Sequence, residues 1–312
     1  MVESEMSKVL LDMDPGIDDA LALLLAVSLP ELELLGVTTV AGNTVVEKTS
    51  VNARRVLEYV GRGEVPVYAG ASGPMARLLT TAEHVHGQDG LGEAGIPGPI
   101  DPPQAGALQF LSETIKKNPH EVTIVATGPL TNLGLAFLLN HRLPSLVKEI
   151  VIMGGAYHLT PYGRGNITPL SEFNIYTDPE AAKIVFESNA PLTCVGLDVT
   201  TNPSVKIDSQ RYREISRLGG RKAELASKIM KYQIERFGEI EVHDALAVAA
   251  AMQPAMFQMV EMNVQVLTNN DASRGATIPF KPKEGGRGRA RICIDINSEE
   301  FMRLFLEKVS EA

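Results

Sequence analysis

Four carboxylates fall within eight residues near the start of the chain, Asp12, Asp14, Asp18 and Asp19 in the stretch VLLDMDPGIDDALALLLA. A cluster of this density either holds a hard cation through oxygen or keeps a proton on a carboxyl whose pKa its neighbours raise. Two like charges about 4 Å apart cost on the order of 4 kcal/mol at an effective dielectric of about 20. A helix N-terminus returns only about 0.3 to 1 kcal/mol per acid. Helix capping accounts for one such Asp; four together need a neutralising charge. No cysteine lies nearby and no two histidines have ligand spacing, so calcium or magnesium is expected rather than zinc. The spacing is not that of an EF-hand loop, so further ligands must come from elsewhere in the chain.

The elements that position these acids can be read from the pattern around them. The apolar run ending in Asp12 and Asp14 reads as a buried strand, Pro15-Gly16 as a turn, and residues 20–27 as the body of a helix. All four acids therefore gather at one strand-to-helix turn. A second apolar run ends at Asn43, followed by an amphipathic helix over 45–59 and a short strand over 65–68. Strands alternating with helices of this length predict an α/β fold with a mostly parallel central sheet, helices on both faces and a Rossmann-like core. With no visible linker or repeat, residues 1–312 are expected to form a single domain.

Farther along, residues 70–103 are rich in Gly and Pro and carry His84, His86 and Asp89, which suits a functional flap. A helix is expected over 104–117 and a strand over 122–128, with Pro129 in the first turn of the next helix. Another strand ends at Gly155. Residues 156–174 show no period but many hydroxyl-binding groups, and Asp178-Pro179-Glu180 opens a helix. The run LTCVGLD reads as a strand ending at Asp198, helices follow over 208–218 and 221–237, and His243-Asp244 precede a small-residue helix. Three more strand-like runs and a helix over 298–309 close the chain.

In an open α/β sheet, ligands bind outside the carboxyl ends of the strands. Those ends bring together Asp12 and Asp14, Asn43, Thr127, Glu172 with Asn174, and His243 with Asp244. One metal ringed by Asn and Glu side chains is what a sugar would need.

Composition narrows the classes. The chain has 312 residues, 44% hydrophobic and 21% charged, with a formal charge of −9. That balance argues against a nucleic-acid or anionic-membrane partner. Its one basic cluster, Arg287, Arg289 and Arg291, reads as a solvated loop. No uncharged apolar run reaches the length of a membrane span. The N-terminus MVESEMSK does not read as a signal peptide. The two cysteines, Cys194 and Cys293, sit in apolar runs and are expected to be buried thiols in a reducing compartment, the cytoplasm.

The order of short blocks carries a stronger signal. DMDPGIDDA at 12–20, AGN at 41–43, HG at 86–87, ATGPLTN at 126–132, MGGAY at 153–157, EFN at 172–174, DPEAA at 178–182, HDALAV at 243–248 and SRGATI at 273–278 together resemble the inosine-uridine type nucleoside hydrolases over nearly the whole chain. The resemblance implies one Ca2+ per subunit, held by Asp14, Asp19, the Thr127 carbonyl and Asp244, with Asp12 behind them orienting the ligands. It makes Asp18 the general base and Asn43 the group that steadies the attacking water. Asn166, Glu172 and Asn174, with Asp18 and Asp244, would grip the ribose. His243 is the candidate for protonating the leaving base, with His86 a second candidate; an imidazole titrates near working pH. His84 is placed outside the site, and His120, His141 and His158 are read as structural.

The implied reaction is hydrolysis of ribonucleosides to base and ribose, in nucleoside salvage, by a cytoplasmic homotetramer or dimer. Purine-selective relatives stack the base between tryptophans, and this chain has none. Pyrimidine nucleosides, inosine, or both are therefore the expected substrates, with Tyr232, Gln233 and Phe237 available to face the base. Met13 stands where the family more often has a smaller residue, which leaves local packing open. Two other readings compete. A haloacid-dehalogenase-type phosphatase also ends its first strand in DxD around magnesium, though it gives no role to Asp18-Asp19. A catalytically silent nucleoside-binding protein on the same scaffold would not need Asp18, Asn43 and His243 together.

Overall fold

The computed structural model describes residues 6–282 and 288–310; Arg287 and residues 1–5 of the polar N-terminus lie outside them. The strands are β1 (Ser7–Met13), β2 (Leu32–Thr39), β3 (Val67–Ala69), β4 (Gln104–Ala105), β5 (Thr123–Ala126), β6 (Glu149–Met153), β7 (Leu192–Val195), β8 (Ile207–Asp208), β9 (Glu239–Ile240), β10 (Phe257–Val266), β11 (Thr277–Phe280) and β12 (Arg289–Ile296). Ten form one sheet in the order β11-β10-β12-β7-β6-β5-β1-β2-β3-β4, while β8 and β9 pair separately. The sheet is parallel from β12 through β4, and only β10 runs antiparallel to its neighbours β11 and β12.

The chain leaves β1 outward to β2, β3 and β4, then returns to place β5 on the other side of β1. That reversal opens a crevice at the carboxyl ends of β1 and β5, where the acids of β1 and Thr127 lie. Side-chain alternation divides β1 between two cores. Val9, Leu11 and Met13 face a core that contains the helix Ile17–Ser28, and Leu10 faces a second core with Ile124 and Ile152. Met13 packs without solvent exposure, which answers the packing question its size raised. The helix Ile17–Ser28 is buried all round except at Val27, as expected of a helix in the middle of a large core.

Several local expectations are corrected. Gln104 and Ala105 form edge strand β4, and the helix begins only at Ala107. Pro129 precedes the helix Thr131–Leu139 instead of lying in its first turn. Arg289 and Arg291 lie on β12 rather than in a loop, ion-paired with Glu261 and Glu149. Both cysteines are buried free thiols on β7 and β12.

Asp198 is likewise not at a strand end: β7 stops at Val195, and Asp198 sits in the short helix Leu197–Thr200. Its carboxylate accepts from the amides of Tyr157 (2.7 Å), Leu159 (2.6 Å) and Thr160 (3.2 Å), pinning the start of the irregular 156–174 segment. An Asn there would turn an amide N–H toward a backbone donor, and leaving buried donors unmatched costs about 1 to 3 kcal/mol. Asp198→Asn should lower the thermal midpoint by about 2 to 6 °C, measurable by scanning calorimetry.

Candidate active site

The turn after β1 is built so that its acids cannot avoid one another. Asp19 reaches back from the first helical turn to accept from the Gly16 N–H at 3.0 Å, fixing the helix start. Its other oxygen accepts from Thr127 Oγ1 at 2.8 Å. Asn43 ties the turn to the end of β2. Its backbone N–H donates to Asp14 Oδ2 at 2.6 Å, and its side-chain amide donates to Asp19 Oδ2 at 3.1 Å and to the Asp14 carbonyl at 3.2 Å. Behind them, Asp12 accepts from Thr38 Oγ1 (2.6 Å) and Asn132 Nδ2 (2.8 Å).

Asp18, Asp19 and Asp244 each offer an oxygen within 4.8 Å of the others, and all three are buried. Asp14 stands beside this trio with its Oδ1 buried and unpartnered, as is Oδ1 of Asp18. Burial and the charge of Asp19 push the Asp14 carboxyl well above its ordinary range, and burial with the charges of Asp18, Asp19 and Asp14 does the same for Asp244. Asp19 rises to about 7 through burial and Asp18, and Asp12 to about 6 through burial. Orphaned carboxylate oxygens in an all-oxygen donor set are what a hard divalent cation relieves.

Two glycines make the close approach possible. A Cβ on Gly42 would lie 2.1 Å from Asp14 Oδ2, and one on Gly16 would lie 2.5 Å from His86 Nδ1. Gly42→Ala should therefore displace Asp14 and lower kcat/KM about 100-fold, in line with the cost of a misplacement of about 1 Å. Its far-UV circular dichroism should match wild type.

In front of the acids lies a cavity of about 380 Å3, within the range of small-ligand pockets. Asp18, Asn43, Thr127 and Asp244 form its floor, and Asn166, Glu172 and Asn174 line it from the 156–174 segment. Glu172 caps the helix Phe173–Thr177, its carboxylate accepting from the amides of Gly155, Asn174 and Ile175. Burial nevertheless raises its pKa. Asn174 Nδ2 donates to the Thr127 carbonyl at 2.7 Å, and Asn166 Oδ1 accepts from the Phe173 N–H at 3.0 Å.

His86 and His243 also reach the cavity. The Ile17 N–H donates to His86 Nδ1 at 3.1 Å, so this ring carries its hydrogen on Nε2; burial lowers its pKa. His243 lies within 2.8 Å of Thr200 Oγ1 through Nδ1 and 3.1 Å of Glu241 Oε2 through Nε2. Burial alone would lower its pKa, but Glu241 raises it overall.

Some placements differ from the sequence reading. His84 lines the cavity rather than standing outside it. Gln233 and Phe237 face the cavity, but Tyr232 points elsewhere and packs beside Gly92 under Arg236. Asp89 closes its own turn, accepting from the Leu91 and Glu93 amides. Glu239 and Glu241, which line the cavity, were missed; the alternation in EIEVH carries the signal, placing residues 239, 241 and 243 on one side of an extended segment.

The sequence pattern of the inosine-uridine preferring nucleoside hydrolases matches residues 9–303. The chain belongs to that family. It is a nucleoside hydrolase, an enzyme that cleaves N-glycosidic bonds with water. The pyrimidine-specific ribonucleoside hydrolase RihA of Salmonella gallinarum (strain 287/91 / NCTC 13346) is 39% identical over 308 residues, covering 96% of this chain and 97% of the relative. RihA of Escherichia coli O8 (strain IAI1) is 38% identical over the same length. Among solved structures, the purine-preferring ribonucleoside hydrolase from Gardnerella vaginalis superposes with a TM-score of 0.90 at 29% identity, covering 97% of this chain and 98% of its own. The plant nucleoside hydrolase PpNRh1 gives 0.89 at 30% identity, covering 98% and 99%. Membership in the nucleoside hydrolase family displaces the phosphatase reading of DxD. Among the described residues, no helix is long and apolar enough to cross a membrane.

Proposed function

We propose that this nucleoside hydrolase is calcium-dependent and acts on pyrimidine ribonucleosides, uridine and cytidine, with inosine as a further substrate. The observation that carries the reading is the buried cluster of acids, with Asp14 and Asp18 each holding an unpartnered oxygen, at a cavity that Asp18 and Asp244 line together with the hydroxyl-binding side-chain types of Asn166, Glu172 and Asn174. Asp14, Asp19, Asp244 and the Thr127 carbonyl would hold the ion, with Asp12 steadying the strand end behind them. Bound there, calcium would neutralise the acids and lower the pKa of water in contact with it.

The chain's own groups supply the remaining chemistry. Asp18 removes the proton from the attacking water, and Asn43, already hydrogen-bonded to Asp14 and Asp19, keeps that water in line. Asn166, Glu172 and Asn174 grip the ribose hydroxyls, and the surrounding carboxylates favour the oxocarbenium-like sugar formed as the base departs. His243 protonates the leaving base. His86, whose Nδ1 is engaged by the Ile17 amide, also lines the cavity and is the second source for that proton.

The base preference draws on the absence of tryptophan, on the cavity wall of Gln233 and Phe237, and on the likeness to RihA. Release of reducing sugar from uridine, cytidine, inosine and adenosine, with and without chelator, tests it. Faster turnover of inosine than of either pyrimidine nucleoside would overturn the pyrimidine reading, and no release from any of the four would overturn the whole. The reading also takes residues 1–312 as one catalytic unit and the enzyme as a cytoplasmic homo-oligomer, tetramer or dimer, serving nucleoside salvage. Two buried free thiols fit that compartment, and sedimentation velocity reads the subunit number.

A further inference from the structure

Outside the acids and the ribose-binding side chains, Glu241 is among the polar groups of the cavity wall that have no part in the chemistry described so far. Glu241 follows β9 in an extended segment. Its Oε2 lies 3.1 Å from His243 Nε2, and its Oε1 lies 2.9 Å from Lys206 Nζ. The β8–β9 pairing explains the second contact: Ile207 faces Ile240 and Asp208 faces Glu239, so the next antiparallel step sets Lys206 opposite Glu241. Lys206 also holds Glu239 at 2.6 Å. On the far side of the imidazole, buried Thr200 reaches Nδ1 at 2.8 Å. The ring is thus fixed at both nitrogens, by a hydroxyl on one edge and an anchored carboxylate on the other.

We infer that Glu241 is a positioning residue for leaving-group protonation, holding the Nε2–H edge of His243 in the cavity wall beside the departing base. This rests on His243 being the acid. A carboxylate can only accept, so the hydrogen between the two side chains belongs to Nε2, and the Lys206 contact keeps Glu241 from turning away. When the C1′–N bond of the nucleoside breaks, its electron pair leaves with the base. The imidazolium form of His243, with Nδ1–H on Thr200 and Nε2–H on Glu241, gives its Nε2 proton to the base as the base displaces Glu241 from that hydrogen, and is left as the neutral ring protonated on Nδ1. It regains a proton from solvent, which has received the one lost by the attacking water. In a Ser-His-Asp triad the carboxylate holds the nitrogen that does not transfer; here Thr200 takes that place on Nδ1, and Glu241 aims the transferring Nε2–H and releases it to the base.

The test compares uridine with p-nitrophenyl β-D-ribofuranoside, whose phenolate departs without a proton. A general acid contributes about 10² to 10⁴-fold. We therefore expect Glu241→Gln to lower kcat on uridine about 10- to 100-fold with KM within about twofold, while leaving the nitrophenyl riboside within about twofold of wild type. Glu241→Asp, which keeps the charge and shortens the reach, should show a smaller loss confined to uridine and serves if the Gln variant does not fold. Equal losses on both substrates, or no loss on either, would overturn the inference. His243→Ala separates the two readings. If it loses uridine selectively while Glu241→Gln does not, only the role of Glu241 falls. If it spares both substrates, the assignment of His243 as the acid falls, and the inference with it.

Discussion

Replacing Asp18 by alanine should cost about 10³ to 10⁴ in kcat, the range of a lost general base, while nucleoside and calcium still bind. The expectation depends on separating Asp18 from its neighbours. It is one of three acids whose oxygens converge, so proximity alone would also permit it to be a ligand of the ion. Its distinguishing features are that it lines the cavity and that its Oδ1 stands 3.8 Å from the Nδ1 of His86. Asp14 and Asp19, in contrast, are tied into the turn by Asn43, Gly16 and Thr127. A carboxylate on the cavity wall suits proton removal; carboxylates fixed in the turn behind it suit ligation. Isothermal titration with calcium, followed by titration with a non-hydrolysed nucleoside analogue, reads both affinities. Loss of calcium affinity in Asp18→Ala comparable to that in Asp19→Ala would reassign Asp18 as a ligand.

The acids were legible in the sequence because the physics that gathers them is local. A strand, a Pro-Gly turn and a helix leave Asp12, Asp14, Asp18 and Asp19 no room to separate, and the observed turn follows that reading. The parallel sheet was legible for a similar reason: apolar runs of strand length alternating with helical periods admit few arrangements. What the sequence hid depends on contacts between distant segments. Asp198 looks like another acid at a strand end, yet its two oxygens are consumed by amides about forty positions away. Tyr232 and Gln233 are adjacent on one helix and so point to different faces; only packing against Gly92 decides which of them meets the cavity. His84 looked peripheral because its short helix, Glu83–His86, is too brief to show a period. Glu241 acquires meaning only when the pairing of β8 with β9, two helices apart in the chain, sets Lys206 opposite it.

Removing calcium should abolish turnover and lower the thermal midpoint, and the pH dependence of both should identify the cluster as the cause. Ion present at about 100 times its Kd adds about 2.7 kcal/mol to stability, which for a chain of this size corresponds to roughly 5 °C. Ligating carboxylates must be ionised, so the calcium concentration for half-maximal activity should rise as pH falls below about 7, where burial and Asp18 place the Asp19 carboxyl. In the chelated protein the sign reverses. The folded pKa of Asp19 is raised from 3.8 to about 7, so the folded state binds the proton more tightly than the unfolded chain. The stability this contributes is present in full below the unfolded value and is lost as pH rises through about 7. Chelated Asp19→Asn, whose amide does not titrate, should therefore gain on chelated wild type as pH rises across that window, as read by differential scanning fluorimetry. A variant that trails wild type equally at every pH would show that the carboxyl is not the stressed group. Activity undiminished after exhaustive chelation would show that the acids are relieved by protons alone.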